Sequence, residues 1–412
     1  MMEFQIDHIG NVRDAKIELE GISVIAGKND TGKSTIVKGA FIILDIFSNL
    51  ERDINLQEKR SINSYINKWS ENFHIYIPNV SIRTLLRRLF FEDNLQKDTF
   101  EKELCERIGE HNIDEKAVRF LYDCYSEFHR QNRKDFETYA VQTGIREIYG
   151  EQVETIGYRE QCGFYLKKDD EAAKILLKEN RVCESKCDIT DHIIPIYIST
   201  SDLVDLLTNN TNISSGTISI QPRARRKLVN FMRTELERST LPMEEDKRLD
   251  LQKTIFQEII EDVLRGKIQS DGKKLQYFDE RYHQKIDFGN IASGMRIFLI
   301  LQRLIENGTF LKKTCLFIDE PESNLHPEWQ LILADCLVNL YYKLGINICI
   351  NSHSPYFIRA VEYYSFKSND LNNCHFYLME SCEEKDLYYA KDVTDDLGQI
   401  YDYLSKPFNE IM

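Results

Sequence analysis

Gly27-Lys28-Asn29-Asp30-Thr31-Gly32-Lys33-Ser34 is the stretch whose reading decides the fold. It matches GxxxxGK[ST] in full, and its flanks supply the setting that gives such a match meaning. Before it, Ile22-Ser23-Val24-Ile25-Ala26 is a continuous apolar run that stops at a glycine, as a buried strand does. After it, the pattern KSTIVKGAFIILDIF predicts a helix from Gly32 to about Leu50. Between the two, glycines let the backbone curl so that successive N–H groups face one anion. The helix start adds its positive end, Lys33 a full charge, and Ser34, followed by Thr35, a hydroxyl suited to a divalent cation. Residues 27–35 are therefore expected to bind phosphate groups. The competing reading is a plain surface turn between strand and helix.

Working outward, FQIDHI and AKIELE alternate upstream and predict short strands. Downstream, residues 51–190 are rich in Arg, Lys, Glu, Phe and Tyr, with helical spacing over 81–108 and 115–140 and no sustained heptad. The stretch 151–178 reads equally as strand or helix. HIIPIYIS (192–199) predicts a return to a buried strand, 221–266 a helical stretch, and 268–288 a hairpin. From 289 the pattern sharpens: IFLILQRLI is an apolar helix, CLFID a buried strand and WQLILADCLVNLYYKL an amphipathic helix. INICIN and SPYFIRAVEYY then give another strand and another helix. Alternating strands and helices argue for an α/β fold whose sheet is covered on both faces. Four segments are expected: an N-terminal lobe 1–50, a helical insertion 51–190, a return segment 191–288 and a C-terminal lobe 289–412.

A hydrophobic content of 42% is that of a folded chain, and 53 basic against 67 acidic residues leave a net charge of −14. Such a chain is not built to coat itself in nucleic acid, though Arg83, Arg87 and Arg88, and Arg223, Arg225, Arg226 and Lys227, form local basic patches. Those patches read either as solvated helix faces or as phosphate-tracking surfaces. No signal peptide or membrane span is expected, and scattered cysteines such as Cys315, Cys336 and Cys349 inside apolar runs suit reduced thiols in a cytoplasm. Cys183 and Cys187 lack the second pair that a zinc site needs.

Thr314 to Glu320 reads TCLFIDE, a strand that ends in two carboxylates. A strand delivers Asp319 to the sheet edge where the phosphate loop also lies. There Asp319 could hold Mg²⁺ together with Ser34, and Glu320 could polarise a water as general base. His353, just past the INICI strand, would reach the same edge.

In these motifs and two further segments the chain resembles ABC-type ATPases of the SMC and overcoming-lysogenization-defect (OLD) AAA families. The resemblance rests on IDEPESNLHP (318–327) and on Ile291-Ala292-Ser293-Gly294-Met295-Arg296, and covers roughly 1–45 and 280–365. It implies an ATPase head with a mixed sheet and a largely helical insertion, and ATP and Mg²⁺ as ligands. It further implies that Ser323, Asn324 and Leu325 form the D-loop and that Asn351-Ser352-His353-Ser354 form the H-loop. Ser293 and Gly294 match the Ser-Gly core of the ABC signature, whereas Ala292, Met295 and Arg296 depart from it. A serine opening a helix is also an ordinary N-cap. In the family that serine meets ATP held by the other subunit, so a homodimer or larger even-numbered oligomer is implied. The coupling glutamine of the family has two candidates, Gln161 and the segment 199–202.

Three uses of such a head are open. The first is the ATPase subunit of a bacterial antiphage system that controls a separate effector, a nuclease or toxin, as the GxNDTGKST and ASGM patterns suggest. The second is an OLD-like nuclease, for which HFYLMES (375–381) with Glu380 would begin a TOPRIM domain, with few residues left to complete it. The third is a chromosome-maintenance ATPase that touches nucleic acid through the basic patches.

Overall fold

The structure, a computed structural model, describes residues 1–75, 80–108, 113–199, 223–260, 263–270, 275–311, 313–368, 373–383 and 386–409. They form two compact units, Met1–Ser48 with Gly144–Met412, and Asn49–Thr143.

The larger unit begins with β1 (Met2–Ile9), β2 (Val12–Glu18) and β3 (Ile22–Ala26), and then the start of α1 (Lys33–Asn72). The smaller unit holds the rest of α1, then α2 (Val80–Phe90), α3 (Lys97–Ile108), α4 (Glu115–Arg130) and most of α5 (Arg133–Tyr149). Helix α1 runs well beyond Leu50 because its apolar spacing continues: Ile54, Ile62, Ile66 and Trp69 are all buried in the core of the smaller unit. The Trp69 indole N–H donates to the Ala117 carbonyl at 2.9 Å, so this large side chain is buried with its one polar atom satisfied.

Back in the larger unit come β4 (Cys162–Lys168), β5 (Glu171–Lys178), β6 (Arg181–Cys187) and β7 (Ile194–Ser199). The expected helical insertion over 51–190 is thereby corrected. Its helices occupy 49–143, while β4 pairs with β1 and continues through β5 and β6 as an antiparallel extension of the main sheet. Beyond β7 lie α6 (Arg223–Arg233) and α7 (Met243–Ile260), then β8 (Gly266–Ser270), β9 (Leu275–Asp279) and β10 (Gln284–Asp287), a three-stranded sheet rather than a hairpin. The chain continues as α8 (Ser293–Glu306), β11 (Thr314–Asp319), α9 (Pro327–Leu344), β12 (Asn347–Ser352) and α10 (Pro355–Lys367). It closes with β13 (Cys374–Ser381), β14 (Tyr388–Asp392) and α11 (Gly398–Asn409).

The large sheet is mixed, in the order β6-β5-β4-β1-β2-β14-β13-β3-β12-β11-β7. Strands β13, β3, β12, β11 and β7 run parallel. Every residue of β3 is buried, and β11 and β12 are nearly so, as a parallel sheet between two layers of helices requires. In register, Asp319 stands opposite both Asn351 and Ser199, and Ser352 opposite Ala26. One edge of the sheet therefore receives the phosphate loop after β3, the acidic pair after β11 and the histidine after β12. This is an α/β P-loop fold with a large mixed sheet. All ten cysteines are free thiols, and six of them are buried. Among the described residues no helix is long and apolar enough to cross a membrane.

Candidate functional site

The phosphate loop is held in shape by its own atoms. Thr31 donates its hydroxyl to the Lys28 carbonyl at 2.9 Å, and Asp30 and Gly32 take positive φ angles of 63° and 86°. Gly32 cannot carry a side chain there, because a Cβ would lie 2.5 Å from Val12. Lys33 is only 4% exposed, and its ammonium donates to the Lys28 carbonyl at 2.6 Å. Burial lowers the pKa of Lys33, while Glu320, Glu322 and Asp319 favour its charge. Lys28, Asn29 and Asp30 are exposed at the rim, and Lys28 lies over the Tyr403 ring at 5.0 Å.

The acidic pair sits where the register predicts. Ser34 donates its hydroxyl to Asp319 Oδ1 at 2.7 Å, and Tyr197 donates to Asp319 Oδ2 at 2.9 Å. Asn351 joins these groups. Its amide NH₂ donates to Asp319 Oδ1 and to the Ser34 hydroxyl, and its Oδ1 accepts the Glu320 backbone N–H at 2.7 Å. Asn351 is fully buried and Tyr197 nearly so. Neither was singled out for this role from the sequence, because each reaches the site through strand register rather than through a contiguous motif.

Glu320 follows with φ +50°, a conformation that swings its carboxylate away from the strand line. His353 Nδ1 lies 3.5 Å from Glu320 Oε1 and 3.6 Å from Glu322 Oε1. Glu322, which the sequence shows only as one residue of IDEPESNLHP, is 4% exposed and takes donors from Ser352, His353 and Ser354. Burial pushes its carboxyl above the ordinary range. An open cleft of about 620 Å³ is lined by Glu320, Glu322, Ser323, Asn324 and His353, among others.

Ser293 occupies the first turn of α8 and is exposed, but Ala292 holds the N-cap position and makes no side-chain cap bond. The N-cap reading of Ser293 is therefore corrected. Gly294 packs against the turn after β11, where an added Cβ would lie 2.9 Å from the Asn324 carbonyl oxygen. Arg296, a departure from the signature pattern, is buried and donates to the Ile291 carbonyl, which pins the loop that presents Ser293. His326 and Pro327 open α9 as cap and first helical residue.

Other expected groups lie elsewhere. Gln161 is exposed ahead of β4 and donates to Cys183 Sγ. Ser199, by contrast, ends β7 in register with Asp319, and residues 200–202 lie outside the described residues. Cys183 and Cys187 bond different carbonyls, Leu176 and Ile189, and the described residues hold no group of three or more His, Cys, Asp or Glu side chains placed to share a metal ion. In the basic cluster, Arg223 and Lys227 both bind Asp45, and Arg226 binds Glu147. Arg87 donates to Asn63, while Arg88 is exposed. Glu380 lies on β13, which pairs with β3, and is held by Tyr389 and Lys391 of β14.

A phosphate loop, a strand-end acidic pair and a histidine at one edge of a mixed sheet define a nucleotide-binding P-loop head. The chain belongs to the AAA ATPase domain family, which matches it over residues 3–358. No curated protein matches it significantly. Among solved structures it is similar to an SMC head domain from Thermotoga maritima, with a TM-score of 0.39 and 9% identity over 95% of this chain and 98% of that one. It is also similar to an Smc head bound to the C-terminal domain of ScpA from Pyrococcus furiosus, with a TM-score of 0.44 and 8% identity over 100% of both chains. An SmcHead bound to the C-winged helix domain of ScpA gives 0.44 and 7% identity over 96% of this chain and 98% of that one.

Proposed function

We propose that this protein binds Mg-ATP, closes head to tail with a second copy around it, and hydrolyses it slowly in the cytoplasm. The observation that carries the reading is the meeting of the Ser34 hydroxyl, the Asp319 carboxylate and the Asn351 amide beside Lys33. A hydroxyl and a carboxylate 2.7 Å apart, next to a buried lysine at the start of α1, suit a metal–triphosphate pair. In this assignment the backbone of residues 27–35 and Lys33 hold the phosphates of the substrate. Ser34 and Asp319 hold Mg²⁺, which supplies neutralising charge on the phosphate oxygens. Glu320 takes a proton from water as the water oxygen bonds to the γ-phosphorus and the bond to the ADP oxygen breaks. His353 donates to the γ-phosphate, and Ser293 and Gly294 of the second copy complete the site.

The effector reading belongs to the same proposal: closure holds or releases a separate nuclease or toxin in antiphage defence. It is supported by the GxNDTGKST and ASGM patterns, and by the Asn49–Thr143 unit, which has its own core and supplies none of the site residues. Two other readings lose support. Arg223 and Lys227 are engaged by Asp45 and Arg226 by Glu147, and Glu380 belongs to the head's own sheet.

The test is Glu320→Gln, purified from the native source with whatever accompanies it. It should keep Mg-ATP binding, lose turnover, and retain a companion effector. Unchanged hydrolysis would remove Glu320 as the base; absence of a companion would remove the effector reading alone.

A further inference from the structure

Glu322 raises a question that the ATPase reading leaves open. Its Oε1 accepts three hydrogen bonds: from the Ser352 hydroxyl at 2.6 Å and from the backbone N–H groups of His353 at 3.0 Å and Ser354 at 3.3 Å. Its Oε2 is buried and has no partner among the described residues. A carboxylate that only pins a loop would satisfy both oxygens or give way to a neutral residue, since an unmatched buried acceptor costs stability. This carboxyl instead gathers every donor on the oxygen nearest the His353 ring.

The two loops it joins carry further hydrogen bonds. The turn after β11 is closed by Ser323 N–H to the Glu320 carbonyl at 3.0 Å and by Leu325 N–H to the Glu322 carbonyl at 3.0 Å. A second brace runs in parallel: Gln330 donates to the Leu325 carbonyl at 3.2 Å and accepts from the Ser354 hydroxyl at 2.9 Å. The far side of the same turn meets Gly294, with no room for a side chain between them. One short turn thus touches both the start of α8, which presents Ser293, and the loop that carries His353.

We propose that Glu322 is a positioning residue for hydrolysis, tying the loop of His353 to the turn after β11 so that the imidazole and Glu320 keep a fixed relation. This rests on the ATPase reading above. The residue touches neither substrate nor metal in this assignment and acts through His353.

The test is a set of variants assayed for Mg-ATP hydrolysis and, separately, for Mg-ATP binding. Glu322→Ala should lower kcat about ten- to a hundredfold with binding little changed, as loss of an outer partner does at other sites. Glu322→Gln should recover most of the rate, because its amide oxygen accepts the same three donors. Ser352→Ala deletes one donor and should give an intermediate loss, a readout that survives if Glu322→Ala fails to fold. Adding His353→Ala to Glu322→Ala should cost little more, since both remove one unit. An unaffected kcat in Glu322→Ala or Ser352→Ala, or losses that multiply in the double variant, would overturn the proposal while the wild type still turns over. A wild type with no Mg-dependent hydrolysis would overturn the ATPase reading and this assignment together.

Discussion

Asn351 divides one buried amide among three groups from two distant parts of the chain: Ser34 in the phosphate loop, and Asp319 with the backbone of Glu320 at the end of β11. That arrangement orients the two candidate Mg²⁺ ligands and fixes the start of the Glu320 turn. Asn351→Ala should therefore lower Mg-ATP turnover about ten- to a hundredfold and raise the Mg²⁺ concentration needed for half-maximal rate, the usual cost of losing an outer-shell partner. A magnesium titration of the ATPase rate reads both effects, and an unshifted midpoint would remove Asn351 from the metal site. At this scale the contiguous motifs were legible: Lys33, Ser34, Asp319, Glu320 and His353 lie where spacing and strand ends predict. Asn351, Tyr197 and Glu322 were not, because their roles depend on which strands are neighbours and in what register, and spacing along the chain does not encode that.

Helices α1 and α6 are joined by a buried charge cluster. Asp45, 1% exposed, receives both Arg223 and Lys227. Burial opposes its ionisation, yet Lys227 and Arg223 outweigh burial and hold its pKa below the usual aspartate value. Asp45→Ala would leave two cations without their carboxylate, and breaking a buried cluster in this way costs about 3–5 kcal/mol. Thermal or denaturant unfolding should show a loss of that size. The sign of the pH effect follows from the depressed pKa: the cluster's contribution is fully present above the ordinary aspartate range and fades as pH falls through the folded-state value. The stability gap between wild type and Asp45→Ala should accordingly narrow in acid. Read as sequence, RARRK resembled either a solvated face or a phosphate track, because its counter-charge Asp45 lies far away in the chain. The same limit explains the insertion. The helices of 49–143 were legible from their spacing, but β4 to β6 could be placed in the sheet only by their pairing with β1.

For the molecule as a whole, the decisive feature is that Ser293 is exposed in the first turn of α8, while Lys33 lies buried behind the phosphate loop of the same chain. If a site is completed by the serine of a second copy, defects in the two residues must complement between subunits and never within one. Lys33→Ala disables a subunit's own phosphate loop but leaves its Ser293 able to serve a neighbour. Ser293→Arg does the reverse. Each variant alone should be inactive in Mg-ATP hydrolysis, since every site in its dimer lacks one half. In an equal mixture half of the pairs are mixed, and each mixed pair contains one intact site of two, so about a quarter of wild-type activity should return for a head-to-tail interface. A double variant carrying both changes should lower an equal mixture with wild type to about a quarter of full wild-type activity, because neither site of a mixed pair is then intact. If Ser293 instead serves its own chain, the mixture of single variants would stay inactive at every ratio, and the two-subunit site would have to be abandoned.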